Sequence, residues 1–149
     1  MPTICEMLEQ CREPFSEIAC DAGLLDAIRL MNRKGVRLLV VRGDLGIVGL
    51  VTGAEIVKGL GAGVTEGAMA SAIGSLAVAP IVIDRKAGCR EGLSLLVGAA
   101  SGFLTVTDGD GLVDVVSGLQ LARRYAALLE TELDTLNHYL ADLHDALRD

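Results

Sequence analysis

The apolar residues of the chain follow two different spacings. Helical spacing, with apolar residues three or four positions apart, occurs once in each half. Each such stretch follows a short apolar segment, "SEIA" or "IVID", and precedes two β-rich runs separated by glycine and aspartate, "RLLVV" with "IVGLV" and "FLTV" with "LVDVV". A further helix follows, so the pattern predicts the order β-α-β-β-α twice. The helical positions are Leu24, Ala27, Ile28 and Met31, then Leu93, Leu96 and Val97, and Gly35 fits the C-terminus of the first helix.

The two halves are copies of one unit. A shift of 65 positions aligns residues 18–57 with residues 83–122 without a gap, and ten of the forty pairs are identical. Because repeats of this kind bury their apolar faces against each other, we expect one folding unit of the α/β (α+β) class. The expected segments are a helical N-terminal segment at 1–17, the first repeat at 18–60, a Gly/Ala-rich linker at 61–82, the second repeat at 83–122 and a long C-terminal helix at 119–149.

The C-terminal helix carries a heptad pattern. From Leu119 to Leu147 the apolar positions alternate in steps of three and four, which is typical of a coiled coil. The line of apolar residues at these positions, called the seam below, predicts a helix that pairs with a second copy. The chain is therefore expected to be a homodimer. An amphipathic helix folded back on the repeats is the alternative.

Composition excludes several partners and sites. Aromatic residues make up 3% of the chain and the formal charge is -7, so neither stacking rings nor a basic surface is available for nucleic acid. The uncharged stretch at 67–83 contains glycine and proline and is too short for a membrane span. Four cysteines without a C-x-x-C pair, and no signal peptide, predict reduced thiols in the cytoplasm and no metal site. The "TDGDG" turn lacks the closing Glu of a calcium loop, and "GLGAG" lacks the lysine of a phosphate loop.

One motif closes both repeats and has two interpretations. Thr52 with Glu55, and Ser117 with Gln120, fit the capping box S/T-x-x-E/Q, in which hydroxyl and carboxyl or amide satisfy free N–H groups at a helix start. A helix start with free N–H groups also attracts phosphate. The two interpretations compete for the same atoms.

The segment "EIACDAGLLDAIRLMNRKGVRLLVVRGDLGIVGLVTGAEIV" resembles a cystathionine-β-synthase (CBS) domain, and the duplicated chain resembles the tandem CBS pair known as a Bateman module. The resemblance implies two repeats that pack through their sheets with pseudo-two-fold symmetry. It also implies adenine nucleotides in two clefts between the repeats, and association of modules into a flat disc.

The resemblance also implies which residues bind. The closing hydroxyl would contact phosphate and the residue three positions later would hold the ribose, which selects Thr52 with Glu55 and Ser117 with Gln120. Both copies lack the family's usual aspartate at this last position, so the second cleft, with a neutral amide, departs further from the pattern. Further candidates for ligand binding are Arg37, which has Gly102 as its counterpart, Arg85, and the first-strand residues Ile18 and Ile83.

The expected function is regulatory. No nucleophile, base and orienting residue form a recognisable catalytic motif, so we expect no enzyme and no required cofactor. AMP, ADP or ATP is the candidate ligand, and an output domain or effector protein would receive the signal through the C-terminal helix. The alternative is a structural dimerisation or protein-interaction module without a small-molecule ligand, in which the closing motifs only cap helices.

Overall fold

Two three-stranded sheets, each with its own helices, form the centre of the molecule. The computed structural model describes residues 2–61, 72–109 and 111–148. Residues 62–71 of the expected linker at 61–82 and Asp110 of the "TDGDG" turn lie outside the described residues. The strands are β1 (Ser16–Ala19), β2 (Leu38–Gly43), β3 (Gly46–Thr52), β4 (Val82–Asp84), β5 (Phe103–Asp108) and β6 (Gly111–Ser117), and the helices are α1 (Ile4–Cys11), α2 (Leu24–Lys34), α3 (Gly53–Gly61), a 3-10 turn (Ile73–Ser75), α4 (Cys89–Leu96) and α5 (Gly118–Arg148).

The two sheets have the same topology and the same register. In each, the first strand runs parallel to the second and the second antiparallel to the third, in the orders β1-β2-β3 and β4-β5-β6. Leu38 lies opposite Thr52 in the first sheet, and Phe103 lies opposite Ser117 in the second. The register shifts after Val41 in one sheet and after Val106 in the other. The duplicated fold predicted from the 65-residue repeat is confirmed.

The helices that follow the first strands end differently. Gly35 ends α2 in a left-handed conformation with φ of 65°, and its N–H donates to Met31 O, as predicted from the sequence. Val97 was expected to continue the apolar face of α4, and this prediction was wrong. Val97 takes an extended conformation (φ -65°, ψ 120°), Gly98 follows with φ of 74°, and the Val97 side chain is 83% exposed.

The sheets pack face to face and cover their outer faces with helices. Since side chains alternate along a strand, Leu38 and Val40 point toward the other sheet while Leu39 and Val41 point toward α2 and α3. The cluster between the sheets consists of Leu38, Val40, Leu50 and Val115, with Phe15, Ile47, Phe103 and Leu112 packed against it.

Each repeat is completed by the segment that precedes the other repeat. The N-terminal helix α1 lies on the second repeat, where it contributes Ile4, Met7, Leu8 and Cys11 to a core with Ile83, Leu104 and Val106. Conversely, Ile73, which precedes the second repeat, lies in the core of the first. Burial raises the pKa of the Cys11 and Cys89 thiols, so both stay protonated at neutral pH and pack as apolar groups.

The long helix α5 leaves the body after its second turn. Gly118, Leu121 and Tyr125 are buried, whereas every residue from 126 to 148 is exposed. The alternative of a helix folded back on the repeats is therefore wrong for this part of α5, and its pairing with a second copy stays a prediction. None of the helices in the described ranges combines the length and apolarity needed to cross a membrane. In the part of α5 after residue 125, the exposed seam leucines are Leu129, Leu133, Leu136, Leu140, Leu143 and Leu147.

Candidate functional site

The two closing motifs face one shared cleft between the repeats. Thr52 ends β3 and Ser117 ends β6, and both hydroxyl-bearing side chains line a cavity of about 390 Å³. The resemblance had implied two clefts, whereas the structure places both motifs on this common one. The other lining residues are Glu13, Arg37, Gly53, Gly102, Phe103 and Leu119.

Both hydroxyls also cap the helices that begin beside the cleft. Thr52 Oγ1 accepts from the Ala54 N–H at 3.3 Å and donates to Glu55 Oε2 at 2.5 Å, and the same carboxylate oxygen accepts from the Thr52 N–H at 3.3 Å. Ser117 Oγ accepts from the Gln120 N–H at 3.3 Å. The capping interpretation of the closing motifs is therefore realised in the structure, with the Thr52 hydroxyl and the Glu55 carboxylate bound to each other.

The glycine of the second closing motif is required by packing. A Cβ atom on Gly118 would lie 2.6 Å from Leu96 Cδ1 and 2.7 Å from Gly102 O. The Gly118 N–H donates to this same Gly102 oxygen at 2.9 Å, which fixes the start of α5 against the cleft wall. A Cβ on Gly53, its counterpart, would meet nothing within 4 Å. The repeated glycine thus has a steric reason in one copy.

An ion pair occupies one wall of the cleft. Arg37 lies directly before β2, its side chain is 83% exposed, and its Nη2 donates to Glu13 Oε1 at 2.8 Å. The Glu13 side chain is only 6% exposed, and its backbone N–H donates to Val115 O at 2.8 Å. The sequence analysis missed Glu13. Its burial depends on how residues 12–15 cross the second sheet, and no local pattern in the sequence signals that contact.

The candidates from the first strands lie away from the cleft. Ile18 pairs with Val41, three residues along β2 from Leu38, which is about 10 Å of strand. Its side chain packs against the helical core of the first repeat and borders a different cavity of about 520 Å³ at the far end of the sheet. Ile83 is 4% exposed in the core of the second repeat. Glu55 and Gln120 stand next to the shared cleft through their bonds to its hydroxyl residues, without lining it themselves.

Arg85 lies at the far end of the second sheet. Its N–H donates to Thr107 O, four residues along β5 from Phe103, which is about 13 Å of strand. Its Nε lies 3.5 Å from Asp108 Oδ1, so the structure pairs this arginine at a strand end and does not bring it to Ser117. In the described ranges no group of three His, Cys, Asp or Glu side chains could hold a metal ion.

Comparison with known proteins gives one family and a fold. The model of the CBS domain matches residues 11–62, which include the first repeat. No curated protein matches the chain. Among solved structures, the CBS-domain protein ATU1752 from Agrobacterium tumefaciens has a TM-score of 0.67 at 13% identity, with 81% of this chain and 91% of that chain covered.

Two similar structures contain adenine compounds. CBSX2, known from Arabidopsis thaliana, was solved in complex with AMP and has a TM-score of 0.63 at 19% identity, covering 86% of this chain and 98% of that chain. The CBS pair of protein MJ0100, in complex with 5′-methylthioadenosine and S-adenosyl-L-methionine, has a TM-score of 0.65 at 13% identity, covering 85% and 98%. At these identities the likeness concerns the fold. The chain thus contains a CBS domain at residues 11–62, and as a whole it has the fold of a CBS-domain pair.

Proposed function

We propose that the chain is a regulatory module that binds an adenine-containing ligand in the shared cleft and transmits its occupancy through α5. The observation that carries this proposal is the convergence of Thr52 and Ser117, each at the start of a helix, on one cavity between the repeats. Helix starts attract anionic groups, and Arg37 adds a cation at the same wall. The fold supports it, because CBS-domain pairs are typically regulatory rather than catalytic.

The cleft also offers the apolar contact that a base requires. Phe103 begins β5 and presents an aromatic ring to the cavity, with Leu119 on the side of α5. An aromatic ring stacks on any nucleobase, which suits adenine without demanding base-specific hydrogen bonds. The complexes of CBSX2 with AMP and of MJ0100 with two adenosyl compounds favour the same ligand class.

A direct connection leads from the cleft to the long helix. Ser117 and Leu119 line the cavity and belong to the junction from which the 31-residue α5 starts. A ligand held at this junction acts on the start of a helix whose residues from 126 to 148 are all exposed. We propose that this exposed part pairs with a second copy through the seam leucines, and that an output domain or effector protein reads the pair.

The alternative is a structural dimerisation module with no small-molecule ligand. The observation that favours it is the mutual hydrogen bonding of Thr52 and Glu55, which satisfies both side chains without a ligand. An N-cap of this kind contributes about 1 kcal/mol to stability, which is reason enough for the motif to occur.

Titration calorimetry with AMP, ADP and ATP, each with and without magnesium, separates the two functions. We expect at least one of the nucleotides to bind, with about 2.7 kcal/mol of added stability at a hundredfold excess over the dissociation constant. Thr52→Ala should weaken binding, whereas Thr52→Asn keeps the cap and isolates the contribution of the hydroxyl to the ligand. Thr131→Ala, at an exposed hydroxyl on α5, is the control. Failure of all three nucleotides, with Thr52→Ala lowering only stability, favours the structural module.

A further inference from the structure

We propose that Glu13 limits the negative charge of the ligand, so that the shared cleft accepts an adenine nucleoside or nucleoside monophosphate and rejects di- and triphosphates. This inference rests on the proposed function for the identity of the base. The role of Glu13 itself concerns any phosphate that enters the cleft.

The charge of the cavity comes from one ion pair and two helix starts. Among the described residues that line it, the charged side chains are Glu13 and Arg37, and they are bound to each other at 2.8 Å. In the second copy Gly102 stands where the first has Arg37, so the pseudo-symmetric wall adds no cation. Side chains therefore contribute no net charge, although the cleft lies between two helix starts.

The two helix starts supply positive charge to the cavity. A helix N-terminus is equivalent to about half a positive elementary charge. With α3 and α5 beginning beside the cavity, the two together provide at most about one elementary charge, because the Glu55 carboxylate accepts from the Thr52 N–H and offsets part of the charge at the start of α3. That offsets part of the charge of a single phosphate group and leaves the additional charges of a triphosphate without compensation.

The Glu13 carboxylate is held in place. The Glu13 side chain is 6% exposed, and the backbone that leads into it is held by the bond from its N–H to Val115 O and by the ion pair of Arg12 with Asp114. A second phosphate that took Arg37 for itself would leave a buried carboxylate unpaired beside another negative charge. The exposed Arg37 side chain can change its rotamer, whereas the buried Glu13 side chain stays at the wall of the cleft.

Substitution of the acid by its amide tests the inference. Adenosine, AMP and ATP without magnesium are titrated into the wild type and Glu13→Gln, which keeps the side-chain size and an oxygen for Arg37. The wild type should bind AMP at least about tenfold more tightly than ATP, and Glu13→Gln should reduce this preference about tenfold. Glu17→Gln removes the same charge from the exposed pair with Arg42 at the far end of the sheet, and it should leave the preference unchanged. Equal affinity of the wild type for AMP and ATP, or an unchanged preference in Glu13→Gln, overturns the proposal.

Two further measurements test the role of Glu13 if Glu13→Gln does not fold or if no adenine compound binds. Arg37→Gln changes an exposed side chain and removes the cation, so it should increase the preference for AMP over ATP even if Glu13→Gln does not fold. Inorganic triphosphate tests the cleft without adenine. Glu13→Gln should gain thermal stabilisation by triphosphate that the wild type and Glu17→Gln lack. This gain would support the inference even if no adenine compound binds and the proposed function fails, and its absence overturns the inference.

Discussion

Equivalent residues in the two repeats solve the same packing problem by different means. Gly49 and Asp114 are 65 positions apart, and each lies where the segment preceding the other repeat crosses its sheet. Asp114 is 7% exposed and accepts from Arg12 Nε, whereas Gly49 lets the backbone of Val78 approach. The repeat could be found from the sequence, but these contacts could not. Neither of the segments that precede the repeats carries a sequence pattern that indicates which strand it contacts.

At Gly49 this close approach leads to a direct prediction. An added Cβ would lie 2.4 Å from Val78 O and 3.0 Å from Ala77 Cβ, and backbone cannot move aside as a flexible side chain would. Gly49→Ala should therefore lower the free energy of unfolding by about 1–3 kcal/mol, measured by denaturant titration. Gly111→Ala, at a strand glycine where a Cβ meets nothing within 4 Å, is the matched control. Equal stability of both variants would show that the linker crosses elsewhere.

The shared cleft shows how much of a site can be predicted at the level of single residues. Thr52, Ser117 and Arg37 were identified from the sequence because a helix start and a strand start are local features, and the structure brings all three to one cavity. Ile18, Ile83 and Arg85 do not line it, since each lies several residues further along its sheet. Glu13 became visible only through its burial against the second sheet.

Elements were more predictable than their surroundings. Short apolar and β-rich runs bounded by turn signals located every described strand, because a strand that faces the other sheet on one side and helices on the other is apolar on both faces. The end of α4 was misplaced because Val97 fits an apolar helix face in sequence, whereas in the structure it is already extended and Gly98 follows with a positive φ. For α5 the heptad pattern predicted a long C-terminal helix. The structure has a helix at Gly118–Arg148, and its residues from 126 to 148 are exposed.

The seam of α5 gives a prediction about assembly. Six leucines between 45% and 78% exposed lie along one line of the helix, and a second copy would bury them. We expect a dimer mass by light scattering for the wild type and a monomer mass for Leu136→Glu, which places a charge in the seam. Thr135→Glu adds the same charge one position away, off the seam, and should leave the dimer intact. A monomeric wild type at every concentration, or equal disruption by both variants, argues against the seam as the interface.

At the scale of the whole molecule, the two repeats are tied together by exchange of their flanking segments. The helix α1 precedes the first repeat in the sequence but lies in the core of the second, and Ile73 does the reverse. The sequence predicted that residues 1–17 contain a helix, yet amphipathic spacing alone does not tell which of two similar sheets that helix covers. The assignment follows from backbone bonds such as those from the Ile4 N–H to Ala87 O and from the Glu13 N–H to Val115 O.

The exchange predicts that a change near the N-terminus weakens the distant repeat first. Ile4 is fully buried and lies over Leu104 and Ile83, so Ile4→Ala leaves a cavity in the second core and should cost about 2–5 kcal/mol. Glu9→Ala, on the exposed face of the same helix, should cost little.

Hydrogen exchange locates the effect. In Ile4→Ala we expect the amides of β4–β6 and α4 to lose protection before those of β2 and β3, although the latter are much closer to residue 4 along the chain. If the amides of the first repeat lost protection earlier, α1 would cover the first sheet and not the second, to which the structure assigns it. Simultaneous loss in both would show that the cluster of Leu38, Val40, Leu50 and Val115 couples the repeats into one cooperative unit, so that the cores do not open separately. The order of opening therefore decides whether a signal can be confined to one repeat or must pass through the interface between the sheets.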